Sequence, residues 1–226
     1  MVHAHTIARR PPVRAGGDGR RPVKATRKGR ATEEAFREGA RQVFARDGYL
    51  NARISDIAAA AGKSVASFYN YYDSKADLLA VLAEEFHLET TRLAQAPYRA
   101  GRPPAQALRQ AVAGFWDTYA AHRGAMIGIF QAAMVDPEFA RRWTEIRGRA
   151  LRTIAREIAH AQRDGFCPGI DPGLTASALS AMLEQFCFVW QLGAGDEIAG
   201  EFSRERAVEA LASVWYRAIY WRPEAA

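Results

Sequence analysis

Cysteine is scarce in this chain of 226 residues, which contains only Cys167 and Cys187. Neither belongs to a CxxC pair or to a spacing typical of metal ligands, which argues against a disulfide framework and a zinc site. We therefore expect no metal and no other cofactor. The chain also lacks a run of about 18 apolar residues, so no transmembrane helix is expected. Its N-terminus lacks the apolar segment of a secretory signal. These absences predict a cytoplasmic protein without a membrane partner.

Acidic residues are almost missing from the first thirty positions, where Asp18 faces nine lysines and arginines. This segment contributes +8 to a net charge of +6, which leaves −2 for the remainder of the chain. Proline and glycine are frequent in it and periodic apolar residues are absent. Residues 1–28 are therefore predicted to form a disordered basic arm.

Sustained alternation of apolar and polar residues is absent too, so no strand is predicted. Apolar residues recur instead at helical spacing, which predicts an all-α protein of about nine helices. The first is expected to begin at Thr32, as an N-cap, and to stop at Asp47-Gly48. We assign residues 29–78 to a three-helix N-terminal domain and residues 79–226 to a larger helical bundle. The later helices are predicted over about 55–61 and 64–71, from 74 through Phe86, and over about 105–122, 125–134, 138–162, 171–192 and 203–220.

The segment 54–78 carries the strongest functional signal. Two short helices flank a turn at Gly62, and the second is rich in polar and aromatic residues, which is typical of a helix-turn-helix that enters a DNA groove. Asn70 could bond an adenine edge, and Tyr69 and nearby hydroxyls suit phosphates. Lys75 begins the next helix, where an ammonium and free backbone N–H groups could hold a phosphate. Phe68 and Tyr72 are predicted to be core residues.

The string ISDIAAAAGKSVASFYNYYDSKADL (54–78) resembles the N-terminal domain of the Tet repressor (TetR) family, and AFREGARQVFARDGY (35–49) resembles the first helix of that domain. The resemblance covers about 32–80. The sequence departs mildly from the family pattern at Lys63, Ala66 and Tyr72.

The resemblance implies a homodimer that places two recognition helices on a palindromic DNA operator. It also implies a C-terminal domain that binds a small effector, which in most members releases the DNA. The positions that match DNA-facing positions of the family, together with Lys63 at the turn, are Lys63, Ser64, Val65, Ala66, Ser67, Tyr69, Asn70, Tyr71 and Lys75.

The basic arm has two interpretations of equal weight. In the first, it has no role in binding and is a solvated tail or the product of a misassigned translation start. In the second, it adds contacts to DNA phosphates or to the minor groove. In the second case, deleting residues 2–28 should weaken operator binding and flatten its salt dependence. Unchanged affinity and slope would contradict it.

The C-terminal bundle carries apolar stripes whose roles remain open. Aromatic and methionine residues on three helices could line a cavity for a lipophilic effector, or they could be core. The candidate ligand residues are Phe115, Tyr119, His122, Met126, Phe130 and Trp143. The last two helices are expected to form the dimer interface, so that Leu183→Arg would give monomers, with burial inside one protomer as the alternative. The candidate interface residues are Leu179, Leu183, Phe186, Trp190, Leu211 and Trp215.

The leading interpretation is a sequence-specific, ligand-responsive transcriptional repressor. An all-α enzyme is an alternative, but the sequence shows no nucleophile–base pair and no carboxylate cluster. A non-specific DNA-coating protein driven by the basic arm is the third interpretation, and competition between operator and random DNA would separate it from the first.

Overall fold

The structure is a computed structural model that describes residues 26–99, 101–193 and 195–223, without the side chains of 97–99. Its described residues form nine α-helices and no strand, which confirms the all-α prediction. The predicted basic arm, apart from its last three residues, lies outside the described residues. The helices are α1 Arg27–Asn51, α2 Ile54–Ala60, α3 Val65–Phe68, α4 Lys75–Arg99, α5 Pro104–Ala121, α6 Arg123–Val135, α7 Pro137–Arg163, α8 Pro172–Cys187 and α9 Arg204–Ile219.

Helix α1 begins earlier than the sequence predicted. The side chain of Thr26 accepts a hydrogen bond from the backbone N–H of Gly29 at 3.1 Å, so Thr26 is the N-cap. The predicted cap, Thr32, lies inside the helix and donates its hydroxyl to the carbonyl of Lys28. The predicted stop is present, because Gly48 has a φ of 72° and interrupts the helical backbone.

Helix α1 is pressed against α6, which joins the N-terminal helices to the bundle. A β-carbon at Gly124 of α6 would overlap the carbonyl oxygen of Arg41 on α1. The side chain of Gln131, also on α6, accepts a hydrogen bond from the backbone N–H of Tyr49 at 2.6 Å. Only a residue without a side chain permits this helix–helix distance at Gly124.

Helix α4 runs from the helix-turn-helix into the bundle and contacts α1, α5, α6 and α7. Its apolar face is fully buried, including Leu78, Leu79 and Leu82. At its first turn, the Ser74 hydroxyl accepts a hydrogen bond from the Asp77 N–H at 3.1 Å and donates one to the Asp77 carboxylate at 2.9 Å.

Ion pairs fasten α4 to its neighbours along its length. Glu85 accepts hydrogen bonds from Arg37 at 2.8 Å and Arg41 at 2.7 Å, both on α1. Two further acids of α4 pair with arginines of α7, Asp77 with Arg142 and Glu84 with Arg149. The central helix is therefore coupled to both the N-terminal helices and the bundle.

Helix α3 ends at Phe68, short of the predicted end at about Tyr71, whereas α5 to α9 begin within about two residues of their predicted starts. Side-chain caps start three of these later helices. Asp136, Asp171 and Ser203 accept backbone N–H groups at the starts of α7, α8 and α9. The predicted helix over 171–192 divides into α8 and a π-helical turn, Phe188–Leu192. In the described part of the chain, no helix has the length and apolar character needed to cross a membrane.

Candidate DNA-binding surface and ligand cavity

The turn between α2 and α3 has the geometry that a helix-turn-helix requires. Gly62 adopts a φ of 62°, which side-chain-bearing residues rarely take. The N–H of Lys63 bonds the carbonyl of Ala58 at 2.9 Å and closes the end of α2. Ser64 then caps α3 by accepting the N–H of Ser67 at 3.1 Å. Local turn and cap chemistry thus fixes the direction of α3.

The inner face of α3 is anchored by aromatic packing. Phe68 is fully buried, with its ring centroid 5.5 Å from those of both Phe36 and Tyr72. Burial raises the pKa of Tyr72 to about 12. These positions are core residues, as the sequence predicted for Phe68 and Tyr72. Gly39 of α1 lies so close to α2 that a β-carbon would be 2.9 Å from the carbonyl oxygen of Ile57.

The outer face of the turn and of α3 is exposed as one continuous surface. Tyr69 is 46% exposed and Val65 is 40% exposed, although both belong to types that prefer burial. Ser67 and Tyr71 are half-buried, and Tyr71 packs against Phe36. We call this surface the α3 face; its exposed members are Lys63, Ser64, Val65, Ala66, Tyr69 and Asn70.

Lys75 has a different environment from the one that the sequence suggested. Its ammonium donates to the carbonyls of Tyr49 at 2.7 Å and Ala52 at 2.9 Å, and it lies 4.4 Å from the centroid of the Tyr49 ring. Desolvation lowers its pKa. In this conformation, Lys75 holds the connection between α1 and α2 and its donors are occupied.

The bundle contains a cavity of about 680 Å³ between α4, α5, α7, α8 and α9. This volume is typical of small-molecule sites. One part is apolar and buried, where Leu108, Val112, Leu183, Trp215 and Ile219 meet. The other part is polar and lies along α7 at the surface, where Arg156, Glu157, His160 and Arg163 are exposed. The cavity is therefore amphipathic.

Glu184 is the less exposed of the two acids in the wall of this cavity, since Glu157 is exposed. The Nε of Arg147 donates to both carboxylate oxygens of Glu184 at 2.9 Å. Burial raises the pKa of Glu184, and the Arg147 hydrogen bond opposes that rise. The pair joins α7 to α8 and compensates the charge of Glu184.

Only one of the six candidate ligand residues, Phe115, lines this cavity. Tyr119 and Met126 are fully buried in the core, and burial raises the pKa of Tyr119. His122 lies at the end of α5, 2.9 Å from Glu89. Phe130 packs on Phe188 and Trp143 packs against the core. Tyr119 and His122 of α5 pack instead against Phe86 of α4. Among the residues that the structure describes, none of α6 lines the cavity.

The candidate dimer residues also have a different place. Four of them are buried inside one protomer and are at most 7% exposed: Leu179, Leu183, Leu211 and Trp215. Two of these, Leu183 and Trp215, line the cavity. Phe186 and Trp190 are half-buried in an aromatic cluster with Phe202, whose ring lies 4.3 Å from that of Trp190. The inward apolar stripes of α8 and α9 thus form core, and other residues occupy their outer faces.

Comparisons with known proteins agree with this architecture. Residues 36–82 match the family model of the bacterial regulatory proteins of the tetR family, and residues 108–221, half of the chain, match that of the C-terminal domain of the transcriptional regulator EthR. The chain belongs to the TetR family. It is therefore a DNA-binding transcriptional regulator with a helix-turn-helix, and these matches point away from an enzyme.

Relatives of this TetR-family regulator cover nearly its whole length. The HTH-type transcriptional regulator EthR from Mycolicibacterium smegmatis is 24% identical over 204 residues, which are 89% of this chain and 91% of the relative. A TetR-like regulator from Rhodococcus sp. RHA1 is 26% identical, with a TM-score of 0.60 over 82% of this chain and 94% of its own. FadR from Bacillus subtilis, solved in complex with stearoyl-CoA, is 16% identical, with a TM-score of 0.69 over 83% of this chain and 99% of its own.

Sequence reasoning missed most of the cavity wall of this regulator. Thr90 and Thr91 come from the distal half of α4, and Thr153 and Arg156 come from the polar side of α7. The one available signal was that α4 continues beyond Phe86 with threonines in place of large apolar residues. Arg53, exposed just before α2, was also missed as a cation beside the helix-turn-helix.

Proposed function

We propose that this regulator binds a palindromic operator as a homodimer and that a lipophilic small molecule releases it. The observation that carries the DNA half of the proposal is the exposed α3 face above the fully buried Phe68. A groove-reading helix needs this combination, because its inner side must be fixed while its outer side stays available. The polar groups of Ser64, Tyr69 and Asn70 suit base edges and phosphates.

Some of the proposed DNA contacts need a modified assignment. Lys63 is the exposed cation of the α3 face, so we assign it to a phosphate. Lys75 keeps its position in the family motif, but we assign it a positioning role through the carbonyls of Tyr49 and Ala52. Ser67 and Tyr71 are half-buried and would contact DNA only with their outer edges.

The proposed effector site is the amphipathic cavity, since its buried part is lined by aliphatic and aromatic side chains. The lipophilic class agrees with FadR from Bacillus subtilis, a relative in fold that was solved with stearoyl-CoA. Of the candidate ligand residues, Phe115 stays in the proposed site. Tyr119 and Met126 would act only as core beside it. The target of such a regulator is chromosomal DNA, so we also propose a cytoplasmic location.

The proposed dimer surface is the outer face of α8 and α9. Along α8 and into the π-helical turn that follows it, five exposed residues repeat at alternating steps of four and three, which places them on one face of the helix. Small and apolar residues dominate this surface, which we call the α8 stripe: Leu174, Ala178, Ala181, Gln185 and Phe188. Helix α9 adds Val214, which is 53% exposed. An exposed apolar face of this kind favours helix packing between protomers.

The proposed response is a population shift through α4. This helix begins beside α3 and its distal half lines the cavity, so a ligand that moves α4 changes the distance between the two α3 faces of a dimer. Half-sites on DNA are spaced by about 34 Å, or multiples of it, so a changed distance lowers operator affinity.

Fluorescence anisotropy with the DNA upstream of the regulator's own gene tests this function. At about 150 mM salt we expect specific binding at least about a thousandfold tighter than to scrambled DNA, with two subunits or more per site. Dodecanol should then weaken the specific complex. Equal affinity for both DNAs would support the non-specific DNA-coating alternative instead. A truncation that tests the basic arm should end at residue 25, because Thr26 caps α1.

A further inference from the structure

The ion pairs between α4 and α7 form a regular series. Asp77 pairs with Arg142, and seven residues later on both helices Glu84 pairs with Arg149. Both pairs join residues that are 65 positions apart, so the two helices run in parallel with a constant register. Seven residues correspond to two helical turns, so successive pairs lie on the same side of each helix.

The same register predicts a third pair, and there the series changes. The next positions are Thr91 on α4 and Arg156 on α7, and both line the cavity. A threonine stands where the two preceding pairs have a carboxylate. Within the described part of the chain, the Arg156 guanidinium donates only to the hydroxyl of Thr153, at 3.2 Å, and this partner is neutral.

The other charged groups of the cavity wall are engaged or exposed. Glu184 is compensated by Arg147. The guanidinium of Arg163 donates to the Nδ1 of His160 at 2.9 Å, and the other ring nitrogen of His160 lies 3.7 Å from Asp164. Glu157, next to Arg156, is exposed to solvent and is the one acid on the polar side of the wall. Arg156 and Arg163 together outweigh it.

We propose that the effector is an amphipathic anion whose head group binds Arg156 and so supplies the missing third carboxylate between α4 and α7. This inference rests on the proposed effector site and adds its ligand class. The hydroxyls of Thr91 and Thr153 can donate to the same head group, while the apolar tail occupies the buried part near Val112, Leu183 and Trp215. A guanidinium favours a carboxylate or a phosphate over a neutral head group because its hydrogen bonds are charge-assisted.

Binding of such an anion has a consequence for α4. The first two pairs already couple α4 to α7 near the DNA-binding domain. A carboxylate between Thr91 and Arg156 would extend this coupling into the cavity, where the described structure has no acid at that register. Head-group binding therefore acts on the helix that begins at Lys75, next to α3.

The test uses the full-length protein and its tryptophan fluorescence, to which Trp215 of the cavity wall contributes as one of five tryptophans, with three probes of equal chain length. Dodecanoate carries a carboxylate and dodecanol carries a neutral hydroxyl. In dodecanoyl-CoA the acyl chain is a thioester, and the phosphates of coenzyme A carry the negative charge. We expect the wild type to bind dodecanoate at least about tenfold more tightly than dodecanol. Arg156→Gln should remove this preference and leave dodecanol binding unchanged.

Two further variants make the test specific. Arg152→Gln removes an exposed arginine one turn earlier on α7, outside the cavity wall, and should behave like the wild type. Thr91→Glu places an acid at the third position, where it should pair with Arg156 and weaken dodecanoate binding but not dodecanol binding. Thermal unfolding of each variant checks that the fold is intact.

The outcomes separate the ligand class from the proposed function. Equal binding of dodecanoate and dodecanol to the wild type, or an unchanged dodecanoate affinity in Arg156→Gln, would overturn the anionic class and leave a lipophilic effector standing. Failure of all three probes to bind would overturn both. Binding of dodecanoyl-CoA alone, lost in Arg156→Gln, would support the anion and identify its source as a phosphate.

Discussion

At the scale of single residues, neighbours in α3 have opposite environments. Phe68 is fully buried beneath Phe36 and Tyr72, whereas Tyr69 is 46% exposed on the α3 face. Successive residues of a helix point about 100° apart, so one short element both anchors itself and presents a surface. Stability and DNA binding should therefore respond to different substitutions.

Substitution of these two aromatic residues should separate stability from DNA affinity. Phe68→Ala removes a ring from a closed aromatic cluster and should lower the free energy of unfolding by about 3–5 kcal/mol. Tyr69→Ala should change it by less than about 1 kcal/mol and yet weaken operator binding. Urea denaturation and fluorescence anisotropy measure the two quantities. A Phe68→Ala protein as stable as the wild type would contradict the buried position.

Two lysines of the helix-turn-helix give a second comparison. Lys63→Gln removes an exposed charge and should reduce the slope of operator affinity against salt by about 1, with unchanged stability. Lys75→Gln leaves the carbonyls of Tyr49 and Ala52 without their charged donor and should lower the free energy of unfolding by about 1–3 kcal/mol. If Lys75→Gln changed only the salt dependence of operator affinity, the result would support a phosphate contact for Lys75 and contradict its positioning role.

At the scale of elements, α4 depends on a carboxylate that two arginines share. Glu85→Gln should lower the free energy of unfolding by about 1.5–3 kcal/mol, because Arg37 and Arg41 lose their charged acceptor on α4 and keep only acids of α1. The matched control is Glu145→Gln, since Glu145 pairs with Arg141 on the exposed face of α7 and should contribute less than about 1 kcal/mol. Equal effects in thermal unfolding would refute the coupling of α1 to α4.

The elements themselves were largely predictable because their signals are local. Gly62 and Ser64 define the turn and the start of α3, and Asp136, Asp171 and Ser203 define three later helix starts. The predicted start of α1 was wrong because the acids that follow Thr32 favour a helix start there. After Thr26 come Arg27 and Lys28, which the N-terminal end of a helix dipole disfavours.

The cavity and the outer faces were not predictable, because they depend on contacts between distant segments. An apolar stripe such as Tyr119 and Met126 identifies a buried face, but not whether another helix or an empty space covers it. On α8, the large residues Leu179 and Leu183 turned inward. The exposed α8 stripe contains small residues such as Ala178 and Ala181, which carry little hydrophobic signal.

At the scale of the whole molecule, the two faces of α8 allow the proposed dimer to be tested. Ala181→Arg places a charge on the outer face, so light scattering should detect monomers that keep their fold and lose operator affinity. Leu183→Arg places a charge in the core beside the cavity and should instead unfold the protomer, since burial of an unpaired charge costs several kcal/mol. A dimeric Ala181→Arg protein that binds DNA would move the interface elsewhere.

The contact at Gly124 has a practical consequence for protein engineering. Regulators with new target sequences are often sought by joining the recognition domain of one protein to the sensing domain of another. Here such a hybrid carries a condition that lies far from both the recognised bases and the sensed compound: the foreign first helix must leave room for its backbone to touch Gly124. Exchange of the first four helices as a block meets this condition only if the foreign α1 has a small residue such as Ala45 at this contact, or if α6 travels with the block.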